Sequence, residues 1–164
     1  MGTPDTLRAM SPFRKYQLIV RTGLLILAIR VALRTTSLPR LLDLLHAGEG
    51  ARTRDRPTLE EIAYYVDRLL ALFPYNSKGS CFPRALSLYR YARRYGVPVD
   101  FQCGVRKSGT TLDGHAWLML SAEPFMEPTQ HWKTFAVTFS FPHSASPSIP
   151  PGSAGTNSAM SRSR

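Results

Sequence analysis

Apolar residues recur at helical spacing through the first 95 residues of the chain, and this pattern predicts four helices. The first and most apolar segment covers residues 16–33. Arg21 and Arg30 leave only eight uncharged residues between them, whereas a membrane-spanning helix needs about 20 mostly apolar residues. We therefore expect no transmembrane segment but a buried or partner-facing helix, with a helix lying on a membrane surface as the alternative.

The second and third helices are predicted from their start and stop residues. A short helix should cover residues 38–46. Thr58 and Glu61 then have the spacing of a capping box, in which each residue satisfies a backbone amide of the other. This third helix should end near Phe73, because Pro74 disfavours helical geometry at the residue before it.

The fourth helix should run from Cys81 to Tyr95, with Gly96 in the left-handed position beyond its end. Beyond it, alternating apolar and polar residues and turn residues predict strands rather than helices. The predicted strands are 99–105, 114–120, one beginning at 125–126, and 134–141. Helices followed by an antiparallel sheet define the α+β class, so we expect N-terminal helices and then a helix packed on a small sheet.

Charge and composition divide the chain into three predicted parts. Residues 1–54 hold nine Lys/Arg against three Asp/Glu and form a basic helical segment, residues 55–141 form the core, and residues 142–164 form a disordered tail rich in Ser and Pro. The basic segment suits an anionic partner such as a membrane surface or an acidic peptide, or it is the solvated face of a soluble helix. No nucleic-acid-binding motif is present, so we expect no nucleic-acid partner.

The cysteine count and the start of the chain indicate the compartment. Two cysteines are too few for a disulfide framework, and residues 1–11 have no apolar run of a signal peptide. We therefore expect a cytoplasmic protein with free thiols. The sequence has no HExxH, paired CxxC, P-loop or GxGxxG motif, so we expect neither a metal nor another cofactor.

Cys81 and His115 are the residues whose positions point to chemistry. Cys81 falls in the first turn of a predicted helix, where free amide groups and the helix dipole favour the reactive thiolate. His115 starts a predicted strand, and a Cys/His pair needs proximity in space rather than in sequence. Taken singly, each has a plain alternative, namely a buried inert cysteine and a histidine that only packs in the core.

A third group with an acceptor oxygen should orient the imidazole. Glu127 follows His115 by twelve residues on the next predicted strand, and a short turn could bring the two side by side. Glu123 should point to solvent, and Asp113 should face away or lie at the sheet edge. Of the remaining candidates, we expect Cys103 and Trp117 to pack in the core, His131 to lie on the surface, and Asn76 to be a turn residue that could also donate to an oxyanion.

Together these residues resemble a known family. A cysteine opens a helix that ends in Arg-Arg-Tyr-Gly-Val-Pro, and Cys103-Gly-Val and Gly114-His-Ala-Trp follow. The pattern resembles the lasso peptide biosynthesis protein B family, the transglutaminase-like cysteine leader peptidases, over residues 58–141. In that family the triad is Cys–His–Asp, so the resemblance implies Cys81, His115 and, with Glu in place of Asp, Glu127.

The resemblance also implies a substrate and partners. It implies removal of the leader from a ribosomally synthesised precursor peptide. A separate leader-recognition protein and an ATP-dependent macrolactam cyclase would be partners, and the N-terminal helices are a hypothetical docking surface for them. An acyltransferase on the same scaffold, or a peptide-binding protein whose catalytic site has decayed, are the alternatives.

Overall fold

The computed structural model describes residues 12–47, 57–72 and 79–142, in which four helices precede a four-stranded antiparallel sheet. The predicted α+β class is therefore confirmed. In chain order the elements are α1 (Pro12–Thr35), α2 (Leu38–His46), α3 (Leu59–Leu72), α4 (Cys81–Arg94), β1 (Asp100–Ser108), β2 (Thr111–Leu120), β3 (Glu123–Pro124), a 3-10 turn (Gln130–Thr134) and β4 (Ala136–Phe141).

Helix α4 lies at the centre of the molecule, in contact with α1, α2, α3 and the sheet. Half of its residues are buried, among them Leu86, Leu88 and Tyr89. Gly96 beyond its end has a φ of +73°, the left-handed geometry predicted for it. Because Cys81 is the first residue of this central helix, the packing of the core fixes where the thiol lies.

The first three helices cover the side of α4 that faces away from the sheet. In the capping box of α3, the amide of Thr58 donates to the carboxylate of Glu61 at 2.9 Å, and the amide of Glu61 donates to the Thr58 hydroxyl at 3.1 Å, as predicted. A hydrogen bond of 2.9 Å between the hydroxyls of Thr22 and Tyr91 joins α1 to α4. Helix α2 has the predicted bounds.

The packing of α1 bears on the predicted division of the chain into an N-terminal segment, a core and a tail. One face of α1, with Leu18, Ile26 and Ile29, is buried in the same hydrophobic core as α3 and α4. By length and composition, α1 is the single helix in the described ranges that could cross a membrane, a test that core helices also pass. The division at residue 54 stays a prediction, and the predicted tail lies outside the described residues except for Pro142.

The sheet has the strand order β3-β2-β1-β4, with all neighbours antiparallel. Phe101 and Cys103 of β1 and Ala116 and Leu118 of β2 belong to the core on the helical side. Because side chains alternate along a strand, His115 lies on the opposite face.

The third predicted strand was wrong in position. The strand is Glu123–Pro124, whereas Phe125 and Met126 lie in a bend. Ser121 and Ala122 form the turn with φ values of 51° and 68°, which lets β3 pair with β2 immediately. Met126 has a φ of 54°, and this left-handed geometry ends the extended chain.

Gly104 is a position where a side chain has no room. A Cβ atom there would lie 2.5 Å from the carbonyl oxygen of Ala136 and 3.1 Å from the ring of Trp117, beside an irregularity in the pairing of β1 with β4.

We expect Gly104→Ala to lower the free energy of unfolding by about 3 kcal/mol, because β4 must shift. Urea denaturation measures this. Gly23→Ala is the control, since nothing lies within 4 Å of its Cβ and it should stabilise α1 by up to about 1 kcal/mol. Equal midpoints for the two variants would contradict this assignment.

Candidate active site

Cys81 lies where the start of α4 meets the free edge of β2. Its Sγ is 4.0 Å from the carbonyl oxygen of Gly114, and it accepts hydrogen bonds from the backbone amides of Ala116 and Phe82. Strand β3 is only two residues long and pairs with the other end of β2, so this part of the β2 edge is open to the thiol. Gly79 has a φ of +74°, a backbone geometry that favours glycine, and its Cα lies beside the sulfur, since a Cβ there would be in ordinary contact with Sγ at 3.9 Å.

His115 hydrogen-bonds to Glu127, and its imidazole interacts with the thiol of Cys81 closely enough to shift the pKa of both groups. Its Nε2 is 3.2 Å from Oε1 of Glu127. Because Nε2 is engaged in this way, Nδ1 is the ring nitrogen left for the thiol. The structure thus brings together the three residues singled out in the sequence.

Glu127 is a buried carboxylate, with a side chain only 6% exposed. The sequence suggested that Glu127 lies on a strand, but it lies in the irregular segment after β3. The positive φ of Met126 turns the chain just before it, so that Glu127 reaches His115 across the end of the sheet. The expected side-by-side strand placement was wrong, although the expected proximity holds.

Arg84 is a part of the site that sequence reasoning missed. It donates to Asp67 of α3 at 2.7 Å and to the carbonyl of Met126 at 2.9 Å, and it lies 3.7 Å from Oε2 of Glu127. A buried carboxylate needs such a counter-charge. The available signal was its spacing: Arg84 follows Cys81 by three residues, which places both on one face of α4.

Aromatic rings enclose the imidazole. The Trp117 ring stacks on His115 at a centroid distance of 5.7 Å and an interplanar angle of 19°, and the Phe135 ring lies 5.3 Å away. Trp132, in the 3-10 turn that sequence analysis did not predict, packs against Trp117 at 6.4 Å. Trp117 is buried as expected, and its ring fixes the plane of the imidazole.

The other candidates lie away from this cluster. Glu123 and His131 are exposed and Cys103 is buried in the core, as expected. Asp113 was expected to face away from His115 or lie at the sheet edge, but it lies two residues before His115 on β2 and therefore on the same face, where it forms an ion pair with Arg106 at 3.1 Å. Asn76 lies outside the described residues. Among the described residues, no group of three or more His, Cys, Asp or Glu could hold a metal ion.

The electrostatics of the pair favour charge separation. Burial raises the pKa of the Cys81 thiol, but hydrogen bonds from His115 and from the backbone amides outweigh burial and leave the pKa below 9.0. The hydrogen bonds of His115 with Cys81 and Glu127 raise the pKa of the imidazole to about 9. Both shifts favour the thiolate–imidazolium form of the pair over the neutral form.

The lowered thiol pKa predicts alkylation by iodoacetamide at unusually low pH. Since only the thiolate reacts, the midpoint of the alkylation rate profile of Cys81 should lie below that of an unperturbed cysteine, and His115→Gln should move this midpoint to higher pH. Peptide mass spectrometry measures the modification of each cysteine. Cys103 is the internal control, because burial raises its pKa and it should stay unmodified. An unchanged midpoint in His115→Gln would contradict the coupling.

Comparison with known proteins identifies the superfamily of the chain. No curated protein and no solved structure matches the chain significantly. A family profile described as the transglutaminase-like superfamily matches residues 23–140, which include α2, α3, α4, β1 to β3, all but the last residue of β4 and the second half of α1. The match covers well over half of the chain, and the chain therefore belongs to the transglutaminase-like superfamily.

Proposed function

We propose that this protein is a cysteine peptidase that removes the leader from a ribosomally synthesised precursor peptide. The observation that carries the proposal is the series Cys81–His115–Glu127 at the start of α4 and the edge of β2, in which His115 hydrogen-bonds to Glu127 and interacts with the thiol. Membership of the transglutaminase-like superfamily supports thioester chemistry at the cysteine. The substrate class rests on the resemblance of the cysteine and His-Ala-Trp motifs to lasso-peptide leader peptidases.

The proposed reaction proceeds through a thioester. The Cys81 thiolate attacks the scissile carbonyl carbon, and the carbonyl electrons move to oxygen. The His115 imidazolium then gives its proton to the leaving amine as the C–N bond breaks. His115, now neutral, takes a proton from water that attacks the thioester, and the carboxylate product and the Cys81 thiol separate. Glu127 holds the imidazole in place and stabilises its charge throughout.

Backbone amides at the start of α4 are the candidate oxyanion donors. The first amides of a helix have no intrahelical acceptor, and that of Phe82 already points at the Cys81 sulfur. An oxyanion formed beside this sulfur would lie close to the same helix end, where the dipole is positive. No cofactor is needed for these steps.

The partners are part of the same proposal. A separate protein would recognise the leader, and an ATP-dependent cyclase would close a macrolactam on the new N-terminus of the core peptide. We place the reaction in the cytoplasm, where both cysteines, free in this structure, stay reduced.

Superfamily membership also favours one second candidate, an acyltransferase in which an amine replaces water at the thioester.

The test that distinguishes the two is incubation of the protein with a leader-bearing precursor peptide, chosen from a short open reading frame beside the gene, followed by mass spectrometry. Two fragments whose masses sum to the precursor plus one water support the peptidase. A product in which the acyl fragment is joined to an added amine, with no hydrolysed fragment, supports the acyltransferase instead. An unmodified precursor, in the presence of both partners, would refute both.

A further inference from the structure

Helix α1 carries a second apolar face that is exposed. Six large apolar side chains, each at least half exposed, follow one another at spacings of three or four residues and form what we call the outer stripe: Phe13, Tyr16, Val20, Leu24, Leu27 and Val31. Since a helix rises about 1.5 Å per residue, the stripe is about 27 Å long. Contiguous apolar surface of this extent marks an interaction site on a soluble domain.

The charge of α1 indicates what covers the outer stripe. Between Pro12 and Thr35 the helix has five basic residues and no acidic one. At 100° per residue, Arg14 and Arg21 run along one border of the stripe, and Arg34 lies at its C-terminal end. A second copy of this chain would bring like charges together. The partner must therefore present an apolar surface that is bordered by negative charge.

Shape favours a lipid surface over a protein groove. The outer stripe is a convex ridge along a single helix, and the mean hydropathy of α1 reaches 1.6 over 18 residues. Its opposite face is held by α3 and α4, so α1 can lie along a membrane while the domain stays outside. Because its inner face is buried in the domain, α1 presents outward mainly apolar residues with basic neighbours, as a helix bound at a membrane interface does.

We propose that the outer stripe of α1 docks the protein on an anionic membrane surface. The apolar side chains enter the boundary between headgroups and acyl chains, and Arg21 and Arg34 contact lipid phosphates. This inference is independent of the proposed peptidase activity, because it uses a face of α1 that does not contribute to the active site.

Vesicle co-sedimentation of the full chain tests the proposal. Neutral phosphatidylcholine vesicles are compared with vesicles containing about 30% phosphatidylglycerol. Leu24→Asp places a charge in the middle of the stripe, and the double variant Arg21→Gln/Arg34→Gln removes flanking charge. Leu112→Asp is the matched control, because Leu112 is 73% exposed but lies in the β1–β2 hairpin. Iodoacetamide alkylation of Cys81 in each variant verifies that the fold is intact.

We expect binding to anionic vesicles at least about tenfold tighter than to neutral ones, with a loss of about tenfold or more in Leu24→Asp and in the double arginine variant. Leu112→Asp should bind like the unchanged chain. Three results would overturn the proposal: no difference between the two kinds of vesicle, equal losses in Leu24→Asp and Leu112→Asp, or a dimer in sedimentation velocity that Leu24→Asp dissociates. Binding of an acidic amphipathic helical peptide to the stripe without any vesicle binding would assign the surface to a protein partner.

Discussion

Cys81→Ala is expected to lower turnover of the leader-bearing precursor by at least about 10,000-fold, to the level of the uncatalysed reaction plus any contribution of binding. The proposed thioester cannot form without the sulfur, and no other thiol can replace it, because Cys103 is buried in the core. Single-turnover kinetics with mass detection of the product measure the loss.

The matched control is Cys103→Ala, which removes the other cysteine of the chain and should leave turnover within a few-fold of normal. His115→Gln should lose as much activity as Cys81→Ala, and the double variant should lose no more, because the two residues act as one unit. Additive losses in the double variant, or cleavage by Cys81→Ala at the normal rate, would refute the thioester mechanism.

Glu127→Gln is expected to lower kcat/KM by about 100-fold, less than the loss of nucleophile or base. Glutamine keeps the size and one acceptor oxygen but removes the charge that helps to hold the pKa of His115 at about 9. The sign follows from this raised value: without the carboxylate the imidazolium loses its proton at lower pH. The alkaline limb of the pH–rate profile should therefore move to lower pH.

Glu123→Gln is the control for that experiment, because Glu123 is an exposed carboxylate in the same segment. Glu123→Gln should change neither kcat/KM nor the pH of the alkaline limb. Arg84→Gln tests whether the position of the Glu127 carboxylate matters when its charge is kept, because Arg84 contacts both the carbonyl of Met126 and the carboxylate of Glu127. It should lower kcat with little change in KM. A Glu127→Gln profile with an unmoved alkaline limb would contradict the role given to the carboxylate.

The helices were predictable because their signals are local. The capping box at Thr58 and Glu61, the glycine after α4 and the apolar spacing of α3 each depend on residues a few positions apart. Cys81 was predictable for a related reason, because it begins α4. His115 was expected to start a strand, but β2 begins four residues earlier and His115 lies in its middle, so the strand was predicted and its start was wrong.

What sequence could not supply are features set by tertiary contacts. The left-handed geometry of Met126, a residue that rarely adopts it, ends β3 early and could not be read from its side chain. The partner of Arg84 on α3 depends on how two helices pack. The outer stripe was hidden because α1 has apolar residues on two faces, so its apolar content looked like that of one buried helix.

The order of strands in the sheet has a consequence for synthesis. Strand β4, the last of the described strands to leave the ribosome, pairs with β1, the first, so the nascent chain carries an open β1 edge until residues 136–141 have emerged. Glu127 also emerges late, after the nucleophile and the base. A growing chain thus has its reactive thiol before the carboxylate that completes the site, and its unpaired strand edge is the part most in need of protection by a chaperone during that interval.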